Sequence, residues 1–133
     1  MGDATVTLLV DTHAFIWAVA EPSALSDPAR EAISTSAVVM VSAVTSFELA
    51  LKNRLGKLPG GEVLSGGYAS HVRRLGLREL DITSAHGQLA GDLEWDHRDP
   101  FDRLLAAQAI LEGLTLVTKD PAFRTLPGLR LLW

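Results

Sequence analysis

The sequence predicts an α/β fold in which a central, mainly parallel sheet of four to five strands is covered by helices on both faces. Three observations predict it. Short apolar, β-branched runs alternate with longer segments patterned at helical spacing. The runs are apolar nearly throughout, as strands buried on both faces are. No internal repeat or low-complexity segment breaks the alternation. With 133 residues, the chain fits one ordinary domain spanning 1–133, long enough to bury a core without staples.

The elements follow in order. Residues 6–10 form an apolar run ending at Asp11, and residues 38–41 a second run ending at Ser42; both read as buried strands. Between them, residues 14–20 read as a helix, Glu21-Pro22 as a break, and Ser26-Asp27-Pro28 as a second helix start with proline in the first turn. Phe47, Leu49, Ala50, Leu51 and Leu55 recur at helical spacing, Lys52 and Arg54 take the wet side, and Gly56 stops the helix. Pro59-Gly60-Gly61 and Gly66-Gly67 bracket a weakly patterned stretch, after which residues 68–75 read as helical. A third strand is expected at residues 79–82, then a helix capped by Thr83 or Ser84 and running to about Leu93. Residues 95–99 read as a polar loop. Pro100 opens a strong helix that ends at Gly113, residues 114–117 make a fourth strand, and residues 129–132 add an edge strand.

Composition narrows the chemistry. Hydrophobic residues make up 47% and charged residues 21%, a globular balance. Cysteine is absent, which excludes disulfide frameworks, thiolate zinc sites and cysteine nucleophiles. No segment has the length needed to cross a bilayer, and the N-terminus lacks the pattern of a secretory leader, so a soluble, cytoplasmic protein with no membrane partner is expected. The net charge of −4 argues against a surface that binds nucleic acid through bulk positive charge. That objection weakens where acidic groups converge on divalent cations, which reverse the local sign.

The acids do fall together. In open α/β sheets, sites form beyond the carboxyl ends of the strands. Asp11 ends the first strand, Glu48 lies early in the helix after the second, Asp102 opens a later helix, and Asp120 follows the fourth strand. Folding stability does not ask for four carboxylates at one edge, since like charges raise one another's pKa. A hard cation resolves the conflict, and carboxylates with water are the ligand set of Mg²⁺ or Mn²⁺.

Each acid also has a structural role open to it. Asp11 can cap the helix beginning near Thr12. Glu48 stands three residues after Thr45 in a capping-box pattern. Asp99 is the natural cap before Pro100, Asp102 suits the positive end of that helix, and Asp120 before Pro121 is an ordinary turn residue. Their joint placement at strand ends favours a site.

Other candidates lie around it. Thr12, Ser42, Thr45, Ser46 and Thr118 stand beside the acids, able to support a carboxylate or to cap helices. Lys52, Arg54, Lys57, Arg98 and Arg103 are placed to border the crevice and contact phosphates, or to sit on solvated helix faces. His13, His71, His86 and His97 show no metal-ligand spacing and read as surface or core residues, only His97 being near the site. Phe15, Trp17 and Phe47 occupy apolar helical positions and read as core.

Four stretches together resemble a known family: residues 8–17 (LLVDTHAFIW), 42–58 (SAVTSFELALKNRLGKL), 97–109 (HRDPFDRLLAAQA) and 116–123 (LVTKDPAF). They resemble the PIN-domain ribonucleases, and among them the VapC-type toxins of bacterial toxin–antitoxin pairs. The resemblance implies a PIN-like α/β/α sandwich in which Asp11, Glu48, Asp102 and Asp120 match the acidic positions that hold Mg²⁺ or Mn²⁺. It leaves Asp99 as an extra acid of less defined role. It further implies endonucleolytic cleavage of RNA, with tRNA or rRNA loops as targets, by a metal-activated water that leaves a 5′-phosphate and a 3′-hydroxyl. A homodimer and a small VapB-type antitoxin that reaches into the acidic cleft are implied as well.

Two other classes were weighed on the residues. A phosphoacceptor receiver module needs an acidic pair after its first strand, whereas Asp11 is followed by Thr12. A catalytically silent binding module, with the acids as caps only, has no reason to bind Mn²⁺ tightly.

Overall fold

The computed structural model describes residues 6–58 and 61–133. Strand β1 (Thr7–Val10) leads into α1 (Thr12–Ala20), a 3₁₀ turn (Pro22–Ala24) and α2 (Asp27–Thr35) before β2 (Val38–Ser42). Helices α3 (Ala43–Arg54), α4 (Gly61–Gly66) and α5 (Tyr68–Arg74) then precede β3 (Arg78–Leu80). Helices α6 (Ser84–Asp92) and α7 (Pro100–Glu112), strand β4 (Thr115–Val117), a second 3₁₀ turn (Pro121–Thr125) and β5 (Arg130–Leu132) complete the chain.

The five strands are all parallel in the order β3-β2-β1-β4-β5, with Leu9 opposite Met40 on one side and Leu116 on the other. Side chains alternate across a strand, and β1 shows the consequence. Leu8 and Val10 enter one core with Phe15, Leu25, Ala29 and Leu49. Leu9 points the other way, into a second core with Leu105, Ala106, Ala109 and Phe123. Helices therefore close both faces, as an all-parallel sheet requires. The topology also fixes where a site can form. The chain moves outward from β1 through β2 to β3, then returns to the far side of β1 as β4. The reversal opens a crevice between the carboxyl ends of β1 and β4.

Local chemistry explains the element ends. Ser26 accepts from the Ala29 amide with Pro28 in the first turn of α2, as the sequence indicates. Gly113 takes φ 67°, a left-handed conformation that ends α7 and turns the chain into β4. Thr83 caps α6 and is reciprocated by the His86 ring, a capping box with histidine in place of the usual glutamate.

The structure corrects several expectations. Helix α4 occupies the stretch with no clear pattern, while the Pro59-Gly60 break lies outside the described residues. Strand β3 begins one residue earlier than expected and stops at Leu80, because pairing with β2 sets its limits; Ile82 is 41% exposed. Phe47, read as core, is 59% exposed, its ring 5.6 Å from that of Phe101 in α7. Among the described residues, no helix is long and apolar enough to cross a membrane.

Candidate active site

Asp11 sits at the reversal point. Its backbone N–H donates to the Val117 carbonyl at 3.1 Å, binding the end of β1 to that of β4. One carboxylate oxygen caps α1 by accepting from the Ala14 amide at 2.8 Å, and the other accepts from the Thr118 hydroxyl at 2.6 Å. The structural and functional readings of Asp11 are thus compatible, since a cap uses one oxygen only. Its side chain lies in a residue only 6% exposed, and burial pushes its pKa up against the lowering effect of those two donors.

Thr118 extends this support to Asp120. Its hydroxyl oxygen accepts from the Asp120 amide at 3.1 Å, while the Asp120 carboxylate caps the second 3₁₀ turn through the Ala122 amide. The charge of Asp120 reaches both Asp11 and Asp102 and raises the pKa of each. Asp102 stands in the first turn of α7, whose N-cap is Asp99; Asp99 accepts from the amides of Phe101 and Asp102. Burial chiefly pushes the Asp102 carboxyl up to about 6, with Asp99 and Asp120 adding to it and His97 opposing it. The His97 ring nitrogen Nε2 lies 2.6 Å from the Asp102 carboxylate.

Glu48 joins through the next residue along from Asp11. The Thr12 hydroxyl donates to Glu48 at 2.6 Å, and Thr45 lies 3.4 Å from Thr12 in the same buried group. The expected capping box between Thr45 and Glu48 does not form, because α3 begins two residues before Thr45 and takes Ser42 as its cap. Lys52, one turn on, places its ammonium 2.5 Å from the other Glu48 oxygen. Ser46 donates to the Ala43 carbonyl, so Ser42 and Ser46 serve the helix backbone rather than the acids.

Arg103 requires a larger correction. Its guanidinium, expected at the crevice rim, donates to the carbonyls of Ala90, Gly91, Leu93, Trp95 and His97. No donor remains free for a phosphate; Arg103 instead fastens the segment that carries His97. Sequence reasoning also undervalued His97 and Trp17. His97 precedes the Asp99-Pro100 cap by two residues, and that proximity was the available signal. Trp17 is partly exposed and lines a cleft of about 370 Å³ together with Asp11, His13, Lys119, Asp120 and Pro121.

The donors suit a hard divalent cation in kind, being carboxylate oxygens that repel one another when ionised. Asp11 and Asp120 line the cleft, and the acids do not close on one point: among the described residues, no three Asp, Glu or His side chains form a ready ligand cluster. The raised pKa of Asp102 has a consequence for stability. A carboxyl raised from 3.8 to about 6 favours the folded state below its unfolded pKa, and that contribution is lost as pH rises through about 6. Without divalent cation, Asp102→Asn is expected to match the wild type at pH 4 and exceed it by about 1–3 kcal/mol at pH 7.5. Urea melts across this range check it. A gap that stays constant with pH would show that the Asp102 charge carries no such cost.

The profile of the PIN domain family matches residues 8–129. This chain belongs to the PIN-domain family. It is 35% identical over 122 residues to Ribonuclease VapC22 of Mycobacterium tuberculosis, covering 90% of this chain and 91% of that protein. Among solved structures, the PIN fold here superposes on VapBC2 from Rickettsia felis bound to a promoter DNA fragment with a TM-score of 0.71, at 20% identity and covering 96% of this chain and 99% of that one. A DNA-bound VapBC from Salmonella typhimurium gives 0.69 at 20% identity, covering 96% and 98%. VapC20 of Mycobacterium tuberculosis, described as a sarcin-ricin loop cleaving toxin, gives 0.56 at 20% identity, covering 92% and 98%. At such identities these structures establish the shared fold.

Proposed function

We propose that this PIN domain is a VapC-type toxin, an Mg²⁺- or Mn²⁺-dependent endoribonuclease silenced by a cognate VapB-type antitoxin. The observation that carries the reading is the gathering of Asp11, Asp102 and Asp120 around the chain reversal between β1 and β4, with Glu48 tied to it through Thr12. The 35% identity to a ribonuclease over most of both chains supports the same reading, and the neighbours described as VapBC complexes support the antitoxin. A homodimer and tRNA or rRNA loops as substrate belong to this proposal; one structural neighbour is described as a sarcin-ricin loop cleaving toxin.

In this reading Asp11, Asp102 and Asp120 hold the cation. When bound, it would supply positive charge to offset the negative charge developing on the phosphodiester and would lower the pKa of water. The Thr118 hydroxyl fixes the Asp11 rotamer, and His97 fixes that of Asp102. Glu48, held by Thr12 and Lys52, is positioned to orient the attacking water and accept its proton. The phosphorus–oxygen bond to the departing 3′-oxygen then breaks and that oxygen takes a proton from solvent water, leaving a 5′-phosphate and a 3′-hydroxyl without a covalent enzyme intermediate.

The purified protein, freed of antitoxin, is expected to cut a pool of tRNA and rRNA with Mn²⁺ present and to stop on addition of a chelator. Cleavage that survives chelation would refute the metal site. Absence of both cutting and measurable Mn²⁺ binding would refute the nuclease reading.

A further inference from the structure

The wall of the acid cleft is partly aromatic. Trp17, two residues from the fully buried Phe15 and so on another face of the helix, packs against the first core with part of its surface and lines the cleft beside Asp11 and Asp120 with the rest. Its ring stands 5.7 Å from that of Trp133, which packs against the same core, and 5.7 Å from that of His13, which lines the cleft with it. The Lys119 ammonium lies 5.8 Å from the indole centroid, within cation–π range. Among the described residues, Lys119 enters no ion pair although Asp120 is its neighbour in sequence. A cation and an aromatic wall thus adjoin a floor of carboxylates.

We propose that Trp17, His13 and Lys119 form a subsite for one unpaired nucleotide of the RNA, adjoining the bond on which the acids act. The proposal rests on the nuclease reading above and adds to it a substrate-selecting element. A cleft of about 370 Å³ falls in the range of sites that enclose a small ligand, about 300–1,000 Å³. Aromatic faces accept any base by stacking, and lysine takes the phosphate beside it. A base in a duplex has both faces covered by its neighbours, so the subsite selects unpaired RNA. An arginine from a protein partner is the competing occupant, drawn by the same acids and indole. Lys119 disfavours it, because its ammonium, 5.8 Å from the indole centroid, repels a second cation but not a neutral base.

The test compares the Mn²⁺-loaded wild type with Trp17→Leu, Trp17→Phe and Lys119→Gln on an RNA presented unpaired and as a duplex. Trp17→Leu is expected to raise KM for the unpaired RNA about 5- to 100-fold, the scale of one lost base stack, with Trp17→Phe recovering most of it. Lys119→Gln should reduce the salt dependence of log KM by about 0.7, one single-strand phosphate contact. Lys119 is exposed, so this arm holds even where Trp17→Leu folds poorly. An unchanged KM and salt slope overturns the subsite, as does an equal loss on unpaired and duplex RNA. Binding of the same RNA to Asp11→Asn, followed by indole fluorescence, separates the two readings. Trp17-dependent binding without any wild-type cleavage would refute the nuclease and keep the subsite, whereas cleavage with no such dependence would do the reverse. Unaltered RNA binding alongside Trp17-dependent capture of an arginine-bearing peptide would reassign the cleft to a protein.

Discussion

Asp11→Asn is expected to reduce RNA cleavage by about 100-fold or more while leaving the fold at least as stable as the wild type. Asparagine keeps the size of the side chain and the oxygen that caps α1 through the Ala14 amide. It loses the charge. The second carboxylate oxygen becomes an amide, and the Thr118 hydroxyl must turn from donor to acceptor to meet it. That exchange costs a fraction of one hydrogen bond, and removing a carboxylate whose pKa burial has raised offsets it. A role in capping alone would therefore leave cleavage intact. A cation-holding role would not, because losing even a supporting partner of a metal ligand commonly costs about 10- to 100-fold, and a ligand itself more. Cleavage assays and thermal melts on one preparation decide between them: wild-type cleavage would remove Asp11 from the site, and a melt lowered by several degrees would show that the charge stabilises the fold.

How much of this was legible in the sequence depends on what kind of physics placed each residue. The strands β1, β2 and β4 are apolar because they are buried on both faces, and that requirement is written into consecutive residues. The caps at Ser26, Thr83 and Asp99 are local too, set within three residues of the groups they bond. Asp11 and Asp120 could be brought together because a parallel sheet aligns the ends of its strands. Other features depend on partners distant in sequence. Glu48, placed among the site acids, also has the spacing of a capping box with Thr45, whereas its hydroxyl donor comes from Thr12, 36 residues away. Phe47 fits the apolar spacing of α3 but lies on a stretch of surface that no other element covers fully. Trp17, two residues from Phe15 and so on another face of the helix, packs against the core and also reaches the cleft. Periodicity reports that a face is apolar; it does not report where the covering element ends.

Arg103 gives the second large effect, and Arg103→Lys is expected to destabilise the protein by about 2–4 kcal/mol. The last carbonyls of α6 lack partners within the helix, and the Arg103 guanidinium supplies them at Ala90 and Gly91. A positive charge also suits that end of the helix dipole. The same fork reaches the carbonyls of Leu93, Trp95 and His97 at 2.6, 2.8 and 2.9 Å, so one side chain shapes the whole connection into α7. Hydrogen bonds from a charged donor contribute about 1.5–3 kcal/mol each, and five on one group act together rather than adding. Lysine preserves the charge but has no planar fork, so at most part of the set can be met at once. The loss should extend to the site, since releasing the His97 carbonyl frees the ring that faces Asp102. Arg103→Lys should accordingly lower cleavage even at temperatures where it remains folded, though by less than Asp11→Asn. Urea denaturation measures the first effect and cleavage by the folded variant the second. A loss below about 0.5 kcal/mol would mean that water replaces the guanidinium at these carbonyls, the usual outcome for a surface residue. A large loss with the salt dependence of RNA affinity unchanged from the wild type would confirm that this arginine, conspicuous in the HRDPFDR stretch, shapes the loop and does not touch the substrate.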